Sequence, residues 1–182
     1  PHVLEEQNEQ IVNIKNINGT NALTTIYAMI TNKYTFDLSI GQTKKTKLTR
    51  DALMNYVRDP NAKARKMAYQ ELYRVYENDG IVLSQIYKNL VQDWYEEYVK
   101  LRKHPTPISV RNLSNDIPNE VTKTLLSVCR ENTHIFQRWF KIKARILSLK
   151  QLNRYDIYAP INSSITKYPC AESVELLLNT FE

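Results

Sequence analysis

Apolar positions in the first quarter of the chain follow two different periods, and the change of period marks a change of element. They recur at helical spacing from Leu4 to Asn16 and again from Asn21 to Thr31, which predicts a pair of helices. Between Tyr34 and Ile40 they alternate strictly with polar residues, which predicts a half-buried strand. Gly41-Gln42-Thr43 supplies a turn, after which Lys44 to Leu48 is expected to return as a short partner strand.

The next segment carries two helix-start signals close together. Thr49 is expected to cap a helix from Arg50 to Arg58, because its hydroxyl can accept a hydrogen bond from the first turn. Asp59 and Pro60 then predict a second start, with Asp59 as the cap and Pro60 at the first helical position, where its missing N–H costs nothing.

From Pro60 to about Lys103 the helical periodicity continues without another proline. Unbroken, a helix of this length would extend for about 66 Å at ~1.5 Å per residue. Asn78-Asp79-Gly80 is where a bend or break is expected, because glycine weakens a helix. The predicted buried face comprises Ala64, Ala68, Leu72, Val75, Tyr76, Val82, Ile86, Leu90 and Tyr98.

The last third of the chain predicts a second long helix and a shorter final one. His104-Pro105-Thr106-Pro107 should end the preceding helix, and Ile108 to Ile117 fits either a short helix or an extended linker. A long helix is predicted from Pro118 to Leu149, then a loop from Asn153 to Ser164 and a helix that begins at Pro169. The predicted buried positions of the long helix are Val121, Leu125, Val128, Ile135, Trp139, Ile142 and Ile146.

These patterns predict a mainly α fold of long antiparallel helices with one small β-hairpin at about residues 34–48. The low glycine content, 3 of 182 residues, supports this expectation, because sandwiches and barrels need many tight turns.

The net charge of +6 raises the question of an anionic partner such as nucleic acid. The basic residues are interleaved with acidic and apolar ones, so no nucleic-acid partner is predicted. The densest cluster, Lys44, Lys45 and Lys47, is typical of a solvated loop. A second group on the predicted long helix is interpreted as the polar side of an amphipathic element. It consists of Arg138, Lys141, Lys143 and Arg145.

Cysteine usage and hydropathy favour a cytoplasmic protein. Cys129 and Cys170 are far apart in sequence and lack a CxxC neighbour, so two separate reduced thiols are expected. No apolar run approaches the ~20 residues that span a membrane, so no membrane partner is predicted. The chain lacks Met at position 1 and ends at Phe181-Glu182 within a helical pattern, and we therefore expect part of a longer protein.

The sequence holds no complete catalytic constellation. None of His2, His104 and His134 belongs to an HExxH motif, so no metal-ligating residue is predicted in this chain. No phosphate-binding glycine loop or GxSxG motif is present. Cys129 lies five residues from His134, a spacing that does not align the two side chains on a helix. No catalytic residue is therefore predicted here, and substrate-binding residues cannot be assigned.

Several stretches in a fixed order resemble the oligoendopeptidase F family of thimet-type zinc metallopeptidases. Their order, rather than any single stretch, carries the resemblance, and together they cover nearly the whole chain. The early stretches are Pro1-His2-Val3-Leu4-Glu5-Glu6, Gly19-Thr20-Asn21-Ala22, Thr49-Arg50-Asp51, Arg58-Asp59-Pro60-Asn61 and Arg65-Lys66-Met67-Ala68-Tyr69. The later ones are Thr106-Pro107-Ile108-Ser109-Val110-Arg111-Asn112-Leu113, Asn115-Asp116-Ile117-Pro118, Val128-Cys129-Arg130-Glu131-Asn132, Phe136-Gln137-Arg138 and Arg154-Tyr155-Asp156-Ile157-Tyr158-Ala159-Pro160.

The resemblance implies the helical N-terminal part of an enzyme that hydrolyses short peptides in an enclosed channel. Residues 1–165 would form the helical N-terminal region, and residues 166–182 the first helix of a truncated catalytic region. The family's zinc ligands and general base lie on an HExxH segment that this chain lacks, so zinc would be bound by the full-length enzyme and not by this chain. This part would form one wall of the substrate channel, be inactive alone, and be prone to self-association through apolar faces.

Two other functions remain open at this point. The chain could be a stand-alone helical interaction module that binds a partner in a groove. It could also be a nucleic-acid binder, which would show binding that weakens steeply with salt. An HExxH motif in the reading frame beyond Glu182 would favour the peptidase over both.

Overall fold

The structure is a computed structural model that describes residues 2–39, 46–161 and 169–181. It confirms the predicted mainly α fold with one small antiparallel hairpin. The helices are α1 Glu6–Asn18, α2 Thr20–Thr31, α3 Arg50–Met54, α4 Ala62–Asn78, α5 Gly80–Tyr95, α6 Pro107–Ser114, α7 Asn119–Glu131, α8 Thr133–Ile146 and α9 Cys170–Phe181. The strands are β1 Phe36–Leu38 and β2 Thr46–Leu48.

The hairpin supplies the centre of the hydrophobic core. Phe36 is opposite Leu48 in the antiparallel register, and Leu38 is opposite Thr46. Phe36 and Leu38 are buried, as the alternating pattern predicted, and they pack with Leu53 of α3 and with apolar residues of α4. The strands are shorter than predicted within the described residues, and the predicted turn Gly41-Gln42-Thr43 lies outside them. A hairpin this small is stable only because α4 covers its apolar face.

The first helix start after the hairpin is confirmed. The Thr49 hydroxyl accepts a hydrogen bond from the Ala52 N–H at 3.3 Å and caps α3. The helix tightens into a 3-10 turn over Asn55–Arg58, so the predicted element is present with a change of hydrogen-bonding pattern at its end.

The prediction for the next helix start is wrong by two residues. Asn61, not Asp59, is the cap of α4: its side-chain oxygen accepts from the Lys63 N–H at 2.9 Å and from the next N–H. Asp59 and Pro60 form the turn before the helix, and their carbonyl oxygens accept from the Arg65 guanidinium at 2.8 and 2.9 Å. Because Arg65 needs these two carbonyls outside the helix, the helix begins later.

The first long helix breaks at Asp79, where the sequence Asn-Asp-Gly indicated a weak point. The Tyr34 hydroxyl donates to the Asp79 carboxylate at 2.7 Å and gives the break a fixed partner. Burial, reinforced by the charge of Asp79, raises the pKa of Tyr34 to about 12. α5 then widens into a π-helical turn at Glu96–Leu101 before the predicted stop at His104-Pro105.

The ambiguous segment after that stop is helical. α6 has a reciprocal capping box between Thr106 and Ser109, with Pro107 in its first turn. Asn112 of this helix is buried, donating to the Asn119 side chain at 2.9 Å and accepting from the Thr122 hydroxyl at 2.8 Å. These bonds fix α6 against the start of α7.

The predicted second long helix is interrupted at Asn132, which separates α7 from α8. The prediction of its buried face is wrong in this structure, because no described element packs over that face. The exposed fraction of the seven predicted core positions runs from 37% at Ile142 to 60% at Leu125. α9 begins one residue after Pro169, as predicted, and its leucines are also exposed.

Several polar contacts join the α1–α2 pair to α5 and the π-helical turn, and the pair contains no buried residue of its own. The Arg102 guanidinium forms ion pairs with Glu9 of α1 at 2.5 Å and with Glu97 at 2.9 Å. The Thr20 hydroxyl donates to the Asp93 carboxylate at 2.6 Å. Hydrogen bonds from Arg102 and from the Leu4 N–H lower the pKa of Glu9 to about 2.

This lowered pKa predicts an acid-dependent loss of stability. Between pH 4.5, the ordinary pKa of Glu9, and pH 2, the unfolded chain binds a proton at Glu9 that the folded chain does not. The contribution of Glu9 should therefore be fully present above pH 4.5 and disappear towards pH 2. In urea unfolding at pH 6.5, the midpoint of the native protein should lie above that of Glu9→Gln. The two midpoints should converge at low pH.

Glu5→Gln is the matched control, because Glu5 is exposed on the preceding turn. Its midpoint should follow that of the native protein throughout. A Glu9→Gln midpoint equal to the native one at pH 6.5 would contradict the prediction.

Candidate functional site

The three histidines do not assemble into a metal site. The rings of His2 and His104 stack with centroids 3.8 Å apart, and His2 Nδ1 donates to the Arg102 carbonyl at 2.7 Å. Burial lowers the pKa of His104, and the neighbouring His2 and Arg102 lower it further. His134 is exposed on α8, with Nδ1 3.2 Å from the Glu131 carbonyl. Within residues 2–39, 46–161 and 169–181, no three His, Cys, Asp or Glu residues gather as metal ligands. Within that part of the chain, therefore, the side chains are not arranged as a zinc site requires.

The two cysteines are free thiols on different helices. Cys129 is exposed on α7 and Cys170 is exposed at the start of α9. His134 belongs to α8, on the far side of the break at Asn132.

No helix among the described residues combines the length and apolar composition that crossing a bilayer requires.

A buried ion pair joins α4 to the segment that follows α8. Arg65 Nη2 donates to Asp156 Oδ1 at 2.7 Å, and the two side chains are 2% and 1% exposed. Asp156 also accepts at its second oxygen from the Asn153 backbone N–H at 3.0 Å. Since Arg65 holds the turn before α4 as well, one guanidinium connects three separate parts of the backbone.

A small cavity of about 130 Å³ lies beside this ion pair. Its wall combines apolar residues of α3 and α4 with several tyrosines and Arg154. Burial raises the pKa of Tyr69, and its hydrogen bond with Tyr73 adds to the effect. The ring centroids of Tyr69 and Tyr155 are 5.8 Å apart, so the cavity wall connects α4 to the turn that carries Asp156.

A larger cleft of about 700 Å³ lies between α8 and residues 149–157. We call it the basic cleft, because four exposed cations line it and no carboxylate does within the described residues. Its apolar lining is Phe140, Ala144, Leu149, Leu152 and Ile157. Its cations are Lys141, Arg145, Lys150 and Arg154.

A fifth cation lies behind one wall of this cleft. Lys143 is 7% exposed, and its ammonium donates to the Ile157 carbonyl at 2.6 Å. This bond ties α8 to the opposite side of the cleft. Sequence reasoning placed Lys143 on the polar side of an amphipathic helix, which is wrong: it is buried, although Lys141 and Arg145 beside it are exposed.

Sequence reasoning missed the basic cleft, although a signal for it exists. Between Glu131 and Asp156 the chain contains six Lys or Arg residues and no acidic residue. The signal is split between a helix and the segment after it, so the periodicity of the helix alone does not reveal it. The bond from Lys143 to the Ile157 carbonyl holds the segment after α8 against the helix, so that Lys150 and Arg154 line the same cleft as Lys141 and Arg145.

Comparison with known proteins confirms the resemblance to the oligoendopeptidase F family. The chain is 24% identical to an oligoendopeptidase F homolog of Borreliella burgdorferi over 184 aligned positions, covering 100% of this chain and 30% of that protein. It is 21% identical to oligopeptidase PepF of Bacillus subtilis, covering 88% of this chain and 24% of that protein. The chain therefore spans less than a third of the length of these curated relatives. No protein-family model matches it.

Solved structures show the same fold. A putative peptidase from Chlamydophila abortus superimposes with a TM-score of 0.79 at 20% identity, covering 98% of this chain and 30% of that one. An oligoendopeptidase-F from Enterococcus faecium superimposes with a TM-score of 0.77 at 20% identity, covering 90% of this chain and 32% of that one.

The buried ion pair predicts a large stability difference between two acid-to-amide substitutions. Asp156→Asn leaves Arg65 charged, buried and without its carboxylate, so the free energy of unfolding should fall by about 3–5 kcal/mol. Glu96→Gln removes one partner of an exposed ion pair, in which Lys100 is 58% and Glu96 42% exposed, and should lower the free energy of unfolding far less. Urea unfolding monitored by circular dichroism measures both. Equal losses in the two variants would show that the Arg65–Asp156 pair contributes no more than a surface pair.

Proposed function

We propose that this chain, similar along its whole length to oligoendopeptidase F proteins, is the helical N-terminal part of a zinc-dependent peptidase that cleaves short peptides. The similarity supports peptide hydrolysis by the full-length protein. The chain itself forms one wall of the enclosure around the substrate. On this proposal residues 1–165 form the helical region and residues 166–182 begin the catalytic region, with the boundary in residues 162–168, outside the described part of the chain.

The observation that carries this proposal is the apolar surface left bare on the later helices. Leu125 of α7, Trp139 of α8 and Leu177 of α9 are 60%, 44% and 58% exposed, and many neighbours on the same helices are similarly exposed. Apolar surface of this extent marks a place where protein packs on protein. In the proposed enzyme the remaining polypeptide covers it, which explains why helices with strong apolar periodicity bury so little here.

The zinc and its chemistry belong to the polypeptide beyond this chain. When bound, the metal activates water and polarises the scissile carbonyl. The separate positions of His2 and His134 support this assignment, since the described residues contain no group of three potential metal ligands. Their role is to shape the enclosure and to exclude folded or long substrates, and no proton transfer is assigned to them. Cytoplasmic location is part of the same proposal.

The stand-alone interaction module is the second candidate, and the same bare helices favour it. The two candidates predict different reading frames after Glu182. The peptidase requires a continuation with an HExxH segment, and the module does not. Sequencing the reading frame past Glu182 therefore separates them directly.

The peptidase proposal predicts that activity and zinc depend on the continuation. The full-length gene product should contain about one zinc per chain and cleave a quenched fluorescent peptide in a chelator-sensitive manner. A protein that ends at Glu182 should contain no stoichiometric zinc and show no chelator-sensitive cleavage, because it lacks the ligands and the base. Metal analysis and the peptide assay measure both. Zinc-dependent cleavage by the short protein would refute the proposed division of roles.

The bare apolar faces predict self-association of the protein that ends at Glu182. Its mass by sedimentation should rise with concentration, because a second copy is the available cover for α7 and α8. Leu125→Glu combined with Trp139→Glu should reduce association by placing charge on that face. Ile81→Glu is the control, because Ile81 is 88% exposed on α5, away from those helices. A strict monomer at all concentrations would contradict this prediction.

A further inference from the structure

The basic cleft gathers four exposed cations, and none of its described lining residues is a carboxylate. Arg65, Arg74, Lys100 and Arg102 each form an ion pair with a carboxylate within 4.0 Å. Among the described residues, none of the four cations of the basic cleft does so. The acid nearest in sequence, Asp156, is committed to Arg65 and to the Asn153 backbone. The cleft therefore presents a positive potential that nothing on its own walls cancels.

The shape of the cleft strengthens that potential. A concave surface lined by one sign of charge focuses the field and raises the local concentration of counter-charge. Two arginines contribute, and a guanidinium can bind a carboxylate through two parallel N–H groups. Between the cations lies an apolar floor that includes Phe140, Leu149 and Ile157. The complementary ligand thus carries several negative charges and at least one apolar group.

We propose that the basic cleft binds an acidic peptide segment supplied by another molecule. Its Asp or Glu carboxylates pair with Lys141, Arg145, Lys150 and Arg154, and an apolar side chain of the peptide rests on the floor. Recognition of acidic motifs by clusters of cations is an established mode of peptide binding.

The lining favours a peptide over a nucleic acid. Proteins that hold single-stranded nucleic acid stack successive bases on several aromatic side chains along a basic groove. The basic cleft offers a single aromatic ring, Phe140, beside aliphatic residues. Aliphatic contacts suit the side chains of a peptide, and nothing in the described lining provides a second stacking platform.

The site is held in place by the interactions described above. Asp156, fixed by Arg65, sets the turn that carries Arg154. The Lys143 ammonium holds the Ile157 carbonyl to α8. The cations of the two walls are therefore held at a defined separation rather than on independent loops. This inference does not depend on peptide cleavage, because it concerns binding alone.

A binding experiment on the full-length gene product tests the proposal. The probe is a fluorescein-labelled nine-residue peptide of alternating Glu and Leu, titrated by fluorescence anisotropy, with mass spectrometry verifying that the peptide stays intact. Binding should weaken with added salt. The triple variant Lys141→Gln, Arg145→Gln and Lys150→Gln should bind about tenfold more weakly, because exposed ion pairs contribute roughly 0.2–1 kcal/mol each and a tenfold change is about 1.4 kcal/mol.

The matched control removes the same charge elsewhere. Lys63→Gln, Lys66→Gln and Lys88→Gln lie on α4 and α5, and all three side chains are exposed. This control should bind the peptide as the native protein does, and circular dichroism should show both variants folded. Equal weakening in the two triple variants would overturn the proposal in favour of bulk charge.

Two further outcomes would also overturn it. A single-stranded oligonucleotide that binds more tightly than the peptide, and through the same three cations, would identify a nucleic-acid site. No binding of the peptide to the full-length protein at low salt would mean that the cleft is closed to outside ligands.

Discussion

The contact between Arg65 and Asp156 is the constraint on which the rest of this structure depends. A buried ion pair adds little net stability, because removing two charges from water offsets most of their attraction. It does impose geometry. Arg65 joins the carbonyls before α4 to a carboxylate 91 residues further along the chain, so the end of the segment after α8 has one position relative to the core. The small cavity and the basic cleft both share Arg154, two residues from Asp156.

The core is small and the apolar faces of α7, α8 and α9 are exposed. Both features follow from the distribution of apolar residues along the chain. The core cluster unites the hairpin with α3 and α4, and its buried members are Phe36, Leu38, Leu53, Ala68 and Val75. The equally periodic apolar stripes of α7, α8 and α9 find no partner among the described elements. Periodicity ensures that a helix has one apolar face, but what covers the face depends on other polypeptide. The proposal of a longer enzyme follows from this imbalance, together with the fraction of each relative that the chain spans.

Short-range sequence signals predict most of the helices and strands. Contacts between residues far apart in sequence determine the features that these signals do not predict. The alternation around Phe36 and Leu38, the Thr49 cap and the weak point at Asp79 are short-range signals, and all three appear in the structure. The start of α4 differs from the predicted one, because the carbonyls of Asp59 and Pro60 accept from Arg65, which also pairs with the distant Asp156. The basic cleft also depends on a contact that local patterns do not show: the Lys143 ammonium of α8 donates to the Ile157 carbonyl and joins the two walls.

The charges of the chain show which cations already have a structural role. Arg102 forms ion pairs with Glu9 and Glu97 and so joins α1 to the π-helical turn, and its charge already has structural partners. In the basic cleft, like charges face one another across a concave surface, and their mutual repulsion opposes the compact state. An acidic residue at one of these four positions would reduce this repulsion. The fold instead holds the cleft open with Lys143 and Asp156, groups that lie behind its surface. The four exposed cations form no ion pair among the described residues, and only Arg154 has a described cation–π partner, the Tyr158 ring at 5.9 Å, so their charges are available to a ligand.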